Sequence, residues 1–446
     1  MEKLNISLPR EVQKAIAQLE KSGFQAYIVG GCVRNTLLGL PVNDWDMTTS
    51  ARPEEMKQCF ADFRTIETGI QHGTLTVLVE GMPLEITTFR DDGEYLDNRH
   101  PVGVTFSQNI EEDLCRRDFT VNAMAYHPTR GLVDLFGGQK DLQKRVIACV
   151  GEPEKRFYED GLRILRALRF AAVLDFSIAP KTEKAIHACC HLLENIAAER
   201  IREEFCRLLC GVGAVRILRE YHDVIGVFLP ELEKCYGFAQ NSKYHCYDVF
   251  EHTMEALLEA PPHLITRLSV LLHDIGKPLC YTEDENGGHF KGHGDIGTEL
   301  TRNIMKRLRF DNQTSERVTR LVEYHDRDIP ATERAVKRLM NQMSDEDISI
   351  FMEVKRCDRL AHAALYRELS PALTEIPKLV KEIRAKNACL SLKDLKVGGN
   401  DLMELGIPKG KEIGRILHTL LEKVLDEELP NEKEALLAAA RDLREA

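Results

Sequence analysis

In the first 20 residues apolar side chains return at Val12, Ile16 and Leu19 with polar residues between them, the spacing of one helix face. That stretch predicts an amphipathic helix. The period then shortens: Ala26–Val29, Thr74–Val79 and Leu84–Thr88 are short β-rich runs separated by Gly and Pro, and they predict strands. The mixture of helix and strand continues to about residue 148. From about residue 155 helical periodicity takes over and holds to the C terminus. The predicted joints are Gly211–Gly213, Pro261-Pro262 and Gly287-Gly288, and no internal repeat or low-complexity tract is evident. The fold class expected is an α/β (α+β) head with a mixed sheet over 1–148, followed by an all-α neck and body over 149–240. A further all-α domain over 241–365 and a helical tail over 366–446 complete the chain.

A chain of 446 residues with 43% hydrophobic and 29% charged positions has the composition of a soluble, multidomain globular protein. It has no run of eighteen apolar residues and no charged-then-apolar leader, so a membrane-spanning or secreted protein is not expected. The 13 cysteines form no CxxC pair, as expected of free thiols in a reducing cytoplasm. A net charge of −11 argues against indiscriminate coating of nucleic acid. Residues 155–220 nevertheless carry 12 Lys+Arg against 9 Asp+Glu, a locally basic stretch that suits an RNA which must also be released.

The chemistry starts at Gly30-Gly31-Cys32-Val33-Arg34 and, ten residues on, Asp44-Trp45-Asp46. A glycine pair leaving a strand lets backbone N–H groups approach a triphosphate. Carboxylates at i and i+2 of a strand share a face, so Asp44 and Asp46 are expected to ligate Mg²⁺ together. Phosphate cradle plus paired acids points to nucleotidyl transfer assisted by two metal ions. By themselves the same residues also suit a turn followed by a solvated acidic strand end.

GGCVRNTLLGLPVNDWDMTT, LEITTFR and EEDLCRRDFTVNAMAY occur in that order, and over about the first 235 residues the chain resembles the class II tRNA nucleotidyltransferase and bacterial poly(A) polymerase family. That family belongs to the DNA polymerase beta superfamily. The resemblance implies that Asp44 and Asp46 hold metal ions and that Arg34 lies near the nucleotide phosphates. It places Glu85 where a third catalytic carboxylate is often found. Without it, Glu85 reads as a half-buried strand residue satisfied by a neighbouring arginine. In RRDFTVNA, Arg117 has the fork to bind phosphate, and Asp118 and Asn122 are expected to meet ribose hydroxyls. The alternative there is a helix N-terminus laced by ion pairs that also involve Arg116.

YEDGLRILR, residues 158–166, looks like the family's EDxxR motif and includes Arg166 among the expected nucleotide-binding residues. Asp160 and Arg163 at i and i+3 would share a helix face, with Glu159 bracing Arg163 and with Ile164, Leu165, Leu168 and Ala172 in the core. A carboxylate accepts from the amino group of cytosine or adenine while a guanidinium donates to the adjacent ring acceptor. Uracil and guanine oppose both contacts, so the protein would replace a template. The stretch RDDGEYLDNRHPVGVT between Phe89 and Phe106 reads as a full-length mobile loop, which in the family accompanies addition of both C and A. CCA addition to tRNA from CTP and ATP is the expectation, and an A-adding enzyme or poly(A) polymerase is the alternative.

His252, His273-Asp274 in LLHDIGKP, His293, His325 and Asp358 follow the order of the HD phosphohydrolase superfamily. Imidazole with carboxylate suits a transition metal such as Mn²⁺, Ni²⁺, Co²⁺ or Fe²⁺, with Mg²⁺ possible and room for two ions. Lys277 is placed to contact phosphate, whereas His245 reads as an ordinary core or surface residue. A metal-dependent phosphohydrolase with an RNA-binding head is the reading from another class. The tail around Gly406–Gly410 resembles the C-terminal segment of HD-bearing tRNA nucleotidyltransferases, with Lys409 and Lys411 expected to grip RNA phosphate. No stable protein partner and no membrane are implied.

Overall fold

The computed structural model describes residues 6–67, 69–70, 73–92, 104–285 and 287–445, and the chain divides into two compact units, 1–230 and 231–446. The first helix runs from Arg10 to Lys21, later than the 1–20 expectation because Pro9 occupies its N-cap. It buries Val12, Ala15, Ile16 and Leu19. Beyond it a seven-stranded sheet runs in spatial order Arg64–Ile66, Thr74–Val79, Met82–Thr88, Asp46–Thr49, Ala26–Val29, Met124–His127 and Gly131–Asp134. Ala26–Val29 is central and wholly buried, as an unbroken apolar run requires. Thr74–Val79 alternates, with Leu75, Val77 and Val79 inside. Every pairing in this sheet is antiparallel except Asp46–Thr49 with Met82–Thr88. Most of the loop expected at 90–105 lies outside the described residues.

Helices Pro153–Glu159, Leu162–Leu174, Pro180–Cys189 and Ala198–Leu209 follow the sheet in the first unit. A two-residue parallel pairing of Val146–Ile147 with Ser177–Ile178 interrupts the helical pattern. Phe119, buried beside the sheet, meets Phe170 edge-on at 5.8 Å and ties the helices to it. Among the described residues the second unit is helical apart from a hairpin of Thr282–Asp284 with Gly287–His289.

The units divide at residue 230 and not at any predicted joint. Gly211 lets two helices touch: a Cβ there would lie 2.7 Å from the Ala172 backbone. Gly288 packs its hairpin so closely that a Cβ would meet the Gln240 carbonyl. Both are close approaches, not hinges. All 13 cysteines are free, and among the described residues no helix is long and apolar enough to cross a membrane.

Candidate functional site

In the first unit the strand Ala26–Val29 ends at Gly30, whose φ of 77° only glycine adopts easily. A Cβ on Gly30 would sit 3.2 Å from Arg117 Nη1, so the missing side chain is what admits that guanidinium. Gly31 opens the short helix that carries Arg34. Arg34 is buried; its Nη1 donates to Asn122 Oδ1 at 2.5 Å and its Nη2 to Asn35 Oδ1 at 2.9 Å. Burial first, then the nearby Arg169, pulls its pKa down to about 10, still charged at neutral pH.

The strand begins only at Asp46, so Asp44 precedes it in irregular backbone, and the two acids do not share a strand face as expected. What the fold adds is Glu85, the register partner of Asp46 across the parallel pair and solvent-facing between buried Leu84 and Ile86. No arginine pairs with Glu85 among the described residues. The Asp46 carboxyl is pushed up by desolvation, then by the Glu85 charge, with Asp44 adding to it and Arg117 opposing. These three carboxylates do not close into a ligand cluster. Among the described residues, sets of three with ligand atoms within 4.8 Å of one another occur only in the second unit. The three acids offer oxygen donors only, the kind of set that suits a hard divalent cation.

Arg116 and Arg117 follow the C-terminus of the helix Ile110–Cys115, and not a helix N-terminus. The fully buried Asp113 holds both, at 2.6 and 3.1 Å. Among the described residues the buried Nε of Arg117 has no hydrogen-bond partner, a donor open to an acceptor. Asp118 and Asn122 are engaged internally. Asp118 Oδ1 accepts from the Phe119 N–H at 2.8 Å and from Asn122 Nδ2 at 3.2 Å, while Oδ2 takes both Nε and Nη2 of Arg166, at 2.8 and 2.6 Å. Burial raises the Asp118 pKa but Arg166 outweighs it, leaving about 2.

Asp160 and Arg163 do not lie on one helix. The first helix ends at Glu159, Asp160 is extended, and the next begins at Leu162. Glu159 braces Arg163 across the break at 2.6 Å and also binds Arg156 at 2.8 Å, and Arg163 Nη2 donates to the Arg116 carbonyl. Ile164, Leu165, Leu168 and Ala172 are buried as expected.

In the second unit His252, His273, Asp274, His293, His325 and Asp358 converge. Asp358 Oδ1 lies 2.9 Å from His252 Nε2 and 3.6 Å from His273 Nε2. Asp274 Oδ2 lies 3.2 Å from His273 Nε2, and its Oδ1 lies 3.6 and 3.7 Å from His293 and His325 Nε2. Two triplets share Asp274: His252 and His273 on one side, His293 and His325 on the other. The Nδ1 atoms of His273, His293 and His325 meet the carbonyls of Val270, Phe290 and Val322, which turns each Nε2 inward. His293 and His325 then set Nε2 lone pairs 3.1 Å apart, a contact that only a proton or cation makes favourable. Burial opposes a charged His273, yet Asp274 and Asp358 push it up to about 10. This donor set fits a divalent metal. Gly276 makes the convergence possible, because a Cβ there would fall 2.3 Å from the His293 carbonyl. Lys277 pairs with Asp274 at 2.6 Å, and the surrounding cavity of about 740 Å³ is also lined by Lys243, Lys291 and His362. His245, read from the sequence as an ordinary core or surface residue, lines it too, and among the described residues its buried Nδ1 has no hydrogen-bond partner.

Lys409 and Lys411 flank Gly410 at the start of the helix Lys411–Leu425, both exposed and, among the described residues, in no ion pair.

Family models match three stretches: the poly(A) polymerase head domain over 26–148, the "probable RNA and SrmB-binding site of polymerase A" over 175–235, and the second tRNA nucleotidyltransferase domain over 295–440. The CCA-adding enzyme of Ligilactobacillus salivarius (strain UCC118) is 34% identical over 444 residues, 98% of each chain. The chain belongs to the CCA-adding enzyme family. A CCA-adding enzyme of Lactobacillus delbrueckii subsp. bulgaricus is 50% identical over 211 residues, 47% of this chain and 53% of that one. The crystal structure of the Bacillus stearothermophilus CCA-adding enzyme in complex with CTP matches with a TM-score of 0.74 at 28% identity, over 98% of both chains.

In this member of the CCA-adding enzyme family the sequence reading missed Asp113, Arg156, Arg169, Arg200 and Glu204. Glu204 pairs with Arg169 and lies 3.7 Å from Arg166, and the guanidiniums of Arg34, Arg166 and Arg169 surround the Phe170 ring. A signal existed: Glu204 falls on the buried stripe of Ile201, Phe205 and Leu208, where an acid is out of phase.

Proposed function

We propose that the chain is a CCA-adding tRNA nucleotidyltransferase, building C, C and A onto tRNA 3′ ends from CTP and ATP without a nucleic-acid template. The observation that carries this reading is that Asp46 and Glu85 are register partners on one sheet face while Arg117, held by Asp113 through Nη2, lies against Gly30, in a chain whose family likeness covers 98% of its length. In this reading residues 1–148 are the catalytic head and 149–240 the neck that reads the base. Residues 241–365 are the HD domain, and 366–446 a tail that meets tRNA through Lys409 and Lys411.

Asp44, Asp46 and Glu85 would hold Mg²⁺, which when bound supplies charge neutralisation at the α-phosphate and eases loss of the hydroxyl proton. Gly30 and Gly31 leave room for the phosphates, and Arg34 and Arg117 bind them. Asp118 and Asn122, internally engaged, set Arg166 and Arg34 in place and through them shape the site for the nucleotide. The RNA 3′ oxygen bonds to the α-phosphorus, the α–β bridging P–O bond breaks, and pyrophosphate leaves with the electron pair. The proton passes to solvent. Asp160 accepts from the amino group of cytosine or adenine, and Arg163, steadied by Glu159, donates to the ring acceptor.

Incubation of a tRNA ending at its discriminator base with Mg²⁺ and labelled CTP, ATP or both tests the reading. Two C residues with CTP alone and a final A only with both nucleotides are expected. A added only to tRNA ending in CC would instead mark an A-adding enzyme, and long A tails a poly(A) polymerase.

A second activity, hydrolysis of phosphate esters in the HD domain, is supported by the opposed Nε2 atoms of His293 and His325. His252, His273, Asp274, His293, His325 and Asp358 would hold the metal, which supplies a hydroxide nucleophile when bound. Lys277 is placed for a phosphate oxygen. Release of nitrophenol from bis-p-nitrophenyl phosphate by Mn²⁺-loaded protein, lost in His273→Ala, tests it.

A further inference from the structure

Asp160 and its neighbour Arg200 constrain each other in a way that bears on base choice. Asp160 sits at the break between two helices, with φ −143° and ψ 105°. Gly161 wedges that break against the 192–196 segment, since a Cβ there would lie 3.1 Å from Leu192 Cβ. The two carboxylate oxygens of Asp160 have different tasks. Oδ1 accepts from the N–H of Leu162, the first residue of the following helix, at 3.1 Å. Oδ2 is the oxygen left for a ligand, and it accepts from Arg200 Nη2 at 2.9 Å, with Nη1 3.4 Å from Oδ1. Arg200 arrives from a different helix, Ala198–Leu209, and its side chain is 28% exposed.

We propose that Arg200 is a positioning residue that determines base specificity. It fixes Asp160 Oδ2 from behind, leaving that oxygen's second lone pair for an exocyclic amino group. Asp160 in return ties down a forked pair of donors that, released, would bond the 4-carbonyl of uracil or the 6-carbonyl of guanine. A guanidinium only donates, so its neutralisation by Asp160 keeps a carbonyl-bearing base unrewarded in this site. The proposal rests on the reading of Asp160 as the base acceptor.

The test is nucleotide addition by the full chain, comparing CTP with UTP on a tRNA ending at its discriminator base. Arg200→Met is expected to raise the KM for CTP and to lower the C-over-U ratio of kcat/KM, each by about tenfold, the scale of one charge-assisted contact. The loss falls on KM and on the ratio, not on kcat. Arg200→Lys, which keeps a point charge but no fork, falls between Arg200→Met and the unaltered chain. Asp160→Ala is expected to add UMP more readily, and Asp160→Ala with Arg200→Met to lose that gain. An unchanged C-over-U ratio in Arg200→Met overturns the proposal, as does equal UMP addition by Asp160→Ala with and without Arg200. If Arg200→Met fails to fold, an unchanged ratio in Arg200→Lys overturns it instead. A ratio unmoved by Asp160→Ala overturns the base-reading role itself.

Discussion

Asp46 and Glu85 are register partners in the one parallel strand pair of the seven-stranded sheet, 39 positions apart in the chain and side by side in the fold. In a parallel pair register partners point to the same face, so the pairing sets two acids on one surface and Asp46 feels the Glu85 charge. Asp46→Ala is expected to lower single-turnover incorporation of labelled CMP by at least about 10²–10³-fold, the scale for removing one electrostatic stabiliser. Retention of tRNA on filters should be unchanged. Activity near that of the unaltered chain would remove Asp46 from the metal site.

Asn122 gives the buried Arg34 guanidinium its shortest acceptor, at 2.5 Å. Asn122→Ala leaves that donor buried and unpaired, which costs about 1–3 kcal/mol. A rise of about tenfold or more in the KM for CTP and a lower unfolding temperature are the expected readouts. A KM unchanged in Asn122→Ala would mean that Arg34 is not a phosphate contact.

The Asp118 carboxyl lies at about 2 in the folded protein against an ordinary 3.8. Burial raises it and Arg166 lowers it further. Because the folded value is the depressed one, the stabilisation is complete above about pH 4 and is lost as pH falls through 4 toward 2. The shift corresponds to about 2 kcal/mol. Asp118→Asn should therefore speed hydrogen exchange at the Phe119 amide, which bonds to Asp118, at pH 6, and the difference should shrink toward pH 2. A difference that is constant with pH would show that the ion pair contributes nothing.

Mn²⁺ binding to the second unit should depend on a glycine that ligates nothing. Gly276→Ala would drive a Cβ to 2.3 Å from the His293 carbonyl and separate His293 from Asp274. A loss of about 10–100-fold in Mn²⁺ affinity by calorimetry is expected, comparable to removing an orienting partner of a ligand. His293→Ala should lower the bound Mn²⁺ by about half and Asp274→Ala nearly abolish it, since Asp274 joins both triplets. Equal stoichiometry in all three variants would exclude the cluster as a metal site.

Much of the first unit was legible in the chain. The runs Ala26–Val29 and Thr74–Val79 are strands with the predicted ends, because β-rich segments bounded by Gly and Pro leave few choices. The convergence of His252, His273, Asp274, His293 and His325 was anticipated from their order in the chain, and the structure brings these side chains together. Asp44 and Asp160 were misread because i,i+2 and i,i+3 rules assume an element that continues. One strand starts at Asp46, and one helix breaks at Asp160. Arg200 and Glu204 escaped because each partners a residue at least 35 positions away, and no local pattern encodes such a pairing.

The sequence by itself determined the order of helix and strand, the core stripes and the kinds of side chain available for phosphate, metal and base. Those follow from periodicities of two and 3.6 residues and from the chemistry of single groups. Only the tertiary structure decided which charges are neutralised: Asp118 by Arg166, Asp160 by Arg200, Asp113 by two arginines, while among the described residues Arg117 Nε has no partner. Charge interactions act through space at a few ångströms, whereas the chain specifies neighbours only along its length.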